Sequence, residues 1–307
     1  MLTSIPTRHR RLSILIVPGA ALIIAAGIVP ALAQPQTEGA LSFSMSPRGH
    51  ILVPVSVNDR GPFVFVLDTA AGQTTVTSAL AEELALEPVL GESAKMLGVH
   101  GLTENPVVQI QSLAVGDAEV RDDRAVILDL GHITRGEWKA DGILGMDFLS
   151  QFDLSLDFGA QSLMFAPSGM IAEHCAAGLQ DREAIAFDVI EPGFVVLPVT
   201  VDGHPVSAIL DTGSGHSGLN GKAAALLGVE LPALPQGPGG GHGFGLQTGP
   251  VGLGDRVLAE RTTLRVMDHP VMEALGLADD PSMLMGNDLL AGRKLTICYQ
   301  SGTAFIQ

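Results

Sequence analysis

The chain has 307 residues, 46% hydrophobic and only 16% charged, with 33 acidic against 17 basic residues and a formal charge of −16. Such apolarity excludes a disordered chain, and two cysteines exclude a disulfide-dense scaffold or a cysteine-built metal site. The acidic surplus argues against a nucleic-acid partner, whose phosphates call for a basic face.

The N-terminus opens with Arg8, His9, Arg10 and Arg11, followed by an apolar run from Leu12 to Ala33 that ends Ala31-Leu32-Ala33. A basic region, an apolar region and an A-x-A exit predict a secretory signal over residues 1–33, cleaved after Ala33. The alternative is an uncleaved single-pass anchor; either way the body lies outside the cytoplasm. The expected location is the bacterial periplasm or the medium, with no stable membrane insertion once the signal is cleaved. Only 4 of the 17 basic residues are Lys, and Ala and Gly are abundant, a composition that fits a GC-rich bacterial source.

An internal repeat then organises the chain. Ile51-Leu52-Val53-Pro54-Val55-Ser56-Val57 reappears as Val195-Val196-Leu197-Pro198-Val199-Thr200-Val201. Both runs alternate and are β-branched, so both read as strands. Each leads through a turn into a second strand that ends in an acid, Phe63–Asp68 and Val206–Asp211. Thr77–Leu86 and Asn220–Val229, rich in Ala and Leu, are the helix candidates that follow. Strand-turn pairs at Gly116-Asp117 and Gly254-Asp255 come next, and then Ile143-Leu144-Gly145-Met146-Asp147-Phe148-Leu149 matches Leu284-Met285-Gly286-Asn287-Asp288-Leu289-Leu290. Landmarks in one order predict a tandem duplication of a unit of about 110–120 residues. The expected domains are an N-terminal lobe over 34–166, a linker over 167–182 and a C-terminal lobe over 183–307. Short strands between Gly, Asp and Asn turns predict an all-β chain of two barrel-like lobes with a few short helices.

The loop after the second strand carries the chemistry: Leu67-Asp68-Thr69-Ala70-Ala71-Gly72 in the first copy, Leu210-Asp211-Thr212-Gly213-Ser214-Gly215 in the second. One such tripeptide is weak evidence and reads equally as an Asx-type turn closing a strand. Two, placed identically in two repeats, are specific. A pseudo-twofold axis between the lobes would bring the loops tip to tip. Two carboxylates that close cannot both ionise, so they share a proton, leaving one as base and the other as acid around a water.

These motifs, with the apolar-apolar-Gly segments Ile143-Leu144-Gly145 and Leu284-Met285-Gly286, resemble the aspartic peptidases. The Leu144–Leu149 run resembles their bacterial retropepsin-like branch in particular. The resemblance covers about residue 50 to 307, and it implies two acid-protease-type β-barrel lobes related by a pseudo-twofold axis. It implies an endopeptidase in which Asp68 and Asp211 activate a water, and Thr69 and Thr212 lock the loops together. Ala70, Gly213 and Ser214 support the loops, and Gly145 and Gly286 pack beneath them. The substrate is then a peptide or unfolded protein, no cofactor is implied, and a chain carrying both halves acts as a monomer. Gly213 matches the family glycine, but Ala70 does not. A methyl group at 70 crowds the loop if the position needs positive φ or a close backbone contact. The alternative reading is therefore a catalytically impaired peptide-binding pseudo-peptidase.

Gly98–Leu102 and Gly240–Phe244 occupy matching places and are the flap candidates, with His100, Gly101, His242 and Gly243 at their tips. Their histidines and His216 have no metal-ligand spacing, so no metal site is expected. His216, following the second loop, is placed to tune the acidity of the pair. Cys175 and Cys298 form a candidate disulfide in an oxidising compartment. No G-x-S-x-G elbow, P-loop or dinucleotide fingerprint competes.

Overall fold

The computed structural model describes residues 39–98, 101–131, 138–167, 183–229 and 243–307. The expected signal, almost all of the expected linker, His100, His242 and Cys175 lie outside the described residues, so the candidate disulfide does too. Residues Thr37–Gln307 form one compact unit.

Within that unit the described strands build three sheets. The N-terminal lobe runs from Ile51–Val57 to Arg60–Leu67, Gly142–Leu144, Thr75–Val76, Ala118–Ile127 and Gly101–Val115, and this last strand pairs back onto Ile51–Val57. The order therefore closes on itself as a six-stranded barrel. The C-terminal lobe repeats it with Phe194–Val201, His204–Leu210, Ser282–Met285, Gly218–Leu219 and Thr262–Val266, and remains open as a half-barrel. Alternation does the sorting: Ile51, Val53, Val55 and Val57 are buried while Pro54 is exposed.

Register reproduces the repeat at the level of single pairs. Arg60–Leu67 lies parallel to Gly142–Leu144 with Leu67 beside Leu144, and His204–Leu210 lies parallel to Ser282–Met285 with Leu210 beside Met285. Each helix candidate contains a shorter helix, Ser78–Glu83 and Gly221–Leu226. The Thr77 hydroxyl accepts the Leu80 N–H and the Asn220 side chain accepts the Ala223 N–H, satisfying donors that a helix start leaves free.

The third sheet belongs to both lobes. Phe152–Asp157 pairs antiparallel with Lys294–Cys298, and Ser155 lies opposite Thr296 with their hydroxyls 3.2 Å apart. Ser155 and Thr296 are equivalent in the repeat, as are Leu154 with Leu295 and Leu156 with Ile297. Leu154 pairs Ile297 and Leu156 pairs Leu295, so the register is symmetric about the Ser155–Thr296 pair. The pseudo-twofold axis passes there. One hydrophobic core runs through both lobes and this sheet, including Phe65, Leu67, Leu144, Leu154, Leu210 and Ile297.

Candidate active site

Both acids stand at the first position beyond an inner strand. The Asp68 N–H donates to the Leu144 carbonyl at 3.1 Å, and the Asp211 N–H to the Met285 carbonyl at 2.9 Å. The parallel neighbour thus fixes where each strand stops and its loop begins.

Thr69 and Thr212 join the loops across the axis. The Thr69 N–H donates to Thr212 Oγ1 at 3.0 Å, and the Thr212 N–H donates to Thr69 Oγ1 at 3.1 Å. Each hydroxyl then gives its own proton to the opposite strand: Thr69 Oγ1 to the Leu210 carbonyl at 2.7 Å, Thr212 Oγ1 to the Leu67 carbonyl at 2.9 Å. Both threonines are fully buried, so every bond in this ring replaces one that water no longer supplies.

Beneath each loop a second carboxylate repeats the symmetry, and sequence reasoning assigned it no role. Asp147 accepts the Thr74 N–H and the Thr74 hydroxyl, both at 2.7 Å. Asp288 accepts the Ser217 N–H at 3.0 Å and the Ser217 hydroxyl at 2.5 Å. The same hydroxyls accept the N–H of Gly145 at 3.2 Å and of Gly286 at 2.9 Å. A Cβ at Gly145 would meet the backbone of Gln73 and Thr74, and one at Gly286 the backbone of Ser214 and His216. The apolar-apolar-Gly segments therefore lie directly under the loops. The signal for Asp147 and Asp288 was their shared place, two residues beyond each glycine.

Asp68 and Asp211 remain half-buried at the surface of this platform. Burial pushes Asp68 up to about 6, against the N–H groups of Ala70, Ala71 and Gly213, which favour its charge. Asp211 rises well above the ordinary carboxylate range, first by burial and then by the nearby Asp68 charge, opposed by the N–H groups of Gly213 and Ser214. Each acid feels the other. Asp68 has the larger set of N–H donors, and one of them, Gly213, reaches it from the opposite loop. The Ala70 N–H, by contrast, donates within its own loop to Asp68 Oδ1 at 2.8 Å.

At Gly213 an added Cβ would coincide with the Asp68 carboxylate of the opposite loop. Ala70 occupies the matching position without a positive φ, so the left-handed requirement raised by its sequence does not arise. Ser214 Oγ donates to the His216 carbonyl at 2.9 Å, closing its own loop. His216 is exposed, and its charge acts on His50.

Of the flap candidates, Gly101 begins Gly101–Val115, which pairs antiparallel with Pro88–Gly98 in a long hairpin whose last pair is Gly98 with Gly101. Gly243 precedes Phe244–Thr248, a strand that pairs with Thr262–Val266. A cavity of about 500 Å³ lies beside the first hairpin, lined by Gln73, Glu92, Ser93 and Arg124 among others. Among the described residues no cluster of His, Cys, Asp and Glu is arranged to hold a metal.

Residues 53–148 match the sequence model of a family described as aspartyl protease. The match takes in Asp68, Thr69, Ala70, Gly145 and Asp147 and ends before the second copy. A comparison with curated proteins finds no match. Among solved structures, conglutin gamma, a basic 7S globulin from lupine seeds, is similar with a TM-score of 0.50 at 11% identity. The similarity covers 87% of this chain and 94% of that one, and it speaks for the fold alone.

Proposed function

We propose that the protein is an exported, single-chain aspartic endopeptidase of retropepsin-like type, with Asp68 and Asp211 as its catalytic pair. The observation that carries this reading is the reciprocal Thr69–Thr212 ring, which holds two acids of coupled ionisation side by side. Asp68, with N–H donors from both loops, is the ionised member and Asp211 holds the proton.

In the proposed reaction, Asp68 takes a proton from a water whose oxygen attacks the peptide carbonyl carbon. Asp211 gives its proton to the carbonyl oxygen, forming a neutral gem-diol. The C–N bond then breaks as Asp68 passes its proton to the leaving nitrogen, and a gem-diol hydroxyl returns a proton to Asp211. The pair ends as it began, and neither cofactor nor metal enters the balance. The long hairpin Pro88–Gly98 and Gly101–Val115 is suited to cover an extended chain lying over the acids.

Hydrolysis of an unstructured peptide tests this reading. Asp68→Asn and Asp211→Asn should each lower kcat by about 10²–10⁴ or more, and a statine-type transition-state mimic should inhibit. No turnover by the folded protein between pH 3 and 8 would sink it. Ala70 motivates one alternative, a pseudo-peptidase that binds peptides and releases them uncut. In that case peptide affinity persists without cleavage, and Ala70→Gly restores some turnover.

A further inference from the structure

The turn Ser46-Pro47-Arg48-Gly49-His50 lies in the N-terminal lobe but is fastened to the Asp211 loop. Its hairpin closes with the Ser46 N–H on the His50 carbonyl and the Gly49 N–H on the Ser46 carbonyl, both at 2.9 Å. Pro47 fits the first turn position, and Gly49, at φ +83°, takes the left-handed one. A Cβ on Gly49 would meet the Gly215 Cα, and a Cβ on Gly215 would meet the Arg48 carbonyl. The Asn287 side-chain amide donates to the Gly49 and Thr212 carbonyls, each at 2.8 Å. Arg48 and His50 are thereby held beside Gly215 and His216, four and five residues past Asp211.

Three side chains gathered here, Arg48, His50 and Trp138, offer donors, while Asn287 Oδ1 is a buried acceptor without a partner among the described residues. Arg48 is exposed and has no ion pair among the described residues, in a chain with 33 acids. The Ser46 hydroxyl accepts the N–H of Arg48 at 3.2 Å and of His50 at 3.1 Å, so its own proton is left for His50 Nδ1, 2.8 Å away. The ring's proton then sits on Nε2, which donates. Burial, reinforced by the charges of Arg48 and His216, keeps this ring neutral to lower pH than usual. The His50 ring stacks on Trp138 with centroids 5.0 Å apart, and the buried indole N–H has no acceptor among the described residues. Trp138 packs, with Ala71 of the Asp68 loop, against the small cluster of Val66, Leu130, Ala140 and Ile143. Trp138 thus shares one apolar cluster with the Asp68 loop.

Donors without an acceptor fit an anion, and a carboxylate meets a guanidinium in two parallel bonds. We propose that Arg48, His50 and His216 form a specificity subsite beside the acid pair that receives an acidic side chain of the peptide substrate. This rests on the peptidase reading for the peptide itself. The chain's overall negative charge opposes an acidic substrate only at long range, and salt screens that field beyond about 8 Å. At contact the Arg48 guanidinium decides, with the imidazole N–H groups as further donors.

The test moves a single Glu, Gln or Lys through each position around one cleavable bond and reads the ratios of kcat/KM. At one position wild type should prefer Glu over Gln by about tenfold. Arg48→Gln should abolish that ratio, and Arg48→Glu should transfer the preference to Lys. A Glu/Gln ratio unchanged in Arg48→Gln, or near one in wild type, overturns the subsite while leaving the peptidase reading intact. The same peptides are also titrated against Asp211→Asn by fluorescence anisotropy. Glu-selective binding lost on adding Arg48→Gln supports the subsite even if wild type cleaves nothing; unselective or absent binding together with absent cleavage overturns it.

Discussion

A methyl group is the whole chemical difference between Ala70 and Gly213, yet it separates the environments of the two acids. Gly213 lets its N–H reach Asp68 across the axis, while the N–H donors to Asp211 both come from its own loop. Ala70→Gly should open the matching approach to Asp211 and bring its ionisation down, which would appear as an earlier alkaline fall in kcat/KM. An unchanged alkaline limb would assign the asymmetry to another cause. The weakened acidity of both groups also bears on stability. Both groups are more easily protonated folded than unfolded, so their favourable contribution is complete below about pH 4; that of Asp68 is lost as pH rises through about 6, and that of Asp211 as pH rises through its own raised value. Asp211→Asn removes a carboxyl that the fold keeps protonated well above its ordinary range, and with it the proton uptake that folding then requires. It should therefore raise Tm relative to wild type at pH 8 and give no gain at pH 4, as thermal melts at the two values would show.

At the scale of elements, the loops hold their places because buried hydroxyls and carboxylates bind them from below and across. Thr69→Val deletes a hydroxyl that serves the Thr212 N–H and the Leu210 carbonyl. Each buried group left unpartnered costs about 1–3 kcal/mol. Denaturant melts should show a loss of that order, with kcat falling more than KM rises. Asp147→Ala frees the Thr74 N–H and hydroxyl together and should act similarly. These elements differ in how legible they were in the sequence. Alternating β-branched runs and a repeated acid loop announce themselves, because each is local and occurs twice. The roles of Asp147 and Asp288 were hidden, although their motif was in view, because their partners Thr74 and Ser217 lie about 70 residues away. Only the tip of the N-terminal hairpin was readable. Pro88–Gly98 mixes Gly, Glu, Ser and Lys with exposed Leu90, so it carries no clean period of two. The Arg48–Gly215 contact falls outside the repeat altogether; nothing in either copy marks two glycines that must meet across lobes.

For the whole molecule, the shared sheet makes the halves mutually dependent. Phe152–Asp157 has Ser162–Pro167 on one side and the C-terminal Lys294–Cys298 on the other. Separating the copies would expose that edge together with Leu154, Leu156, Leu295 and Ile297, all fully buried. Residues 34–166 and 183–307 expressed alone should fail to give a cooperative melt, and co-expression should restore one folded complex. Two independent, reversible transitions in the intact chain would speak against this coupling. The same sheet and the threonine ring each join the two copies, and a single packed core runs through both lobes.

The shared proton between Asp68 and Asp211 is most directly tested by the pH dependence of kcat/KM on a neutral, unstructured peptide. Below about pH 6 Asp68 becomes protonated and no base remains, so the profile should be a bell whose acid limb falls near 6 rather than near the ordinary carboxylate value. Its alkaline limb marks loss of the Asp211 proton. An acid limb near pH 4, or a flat profile retained in Asp211→Asn, would contradict the coupled pair.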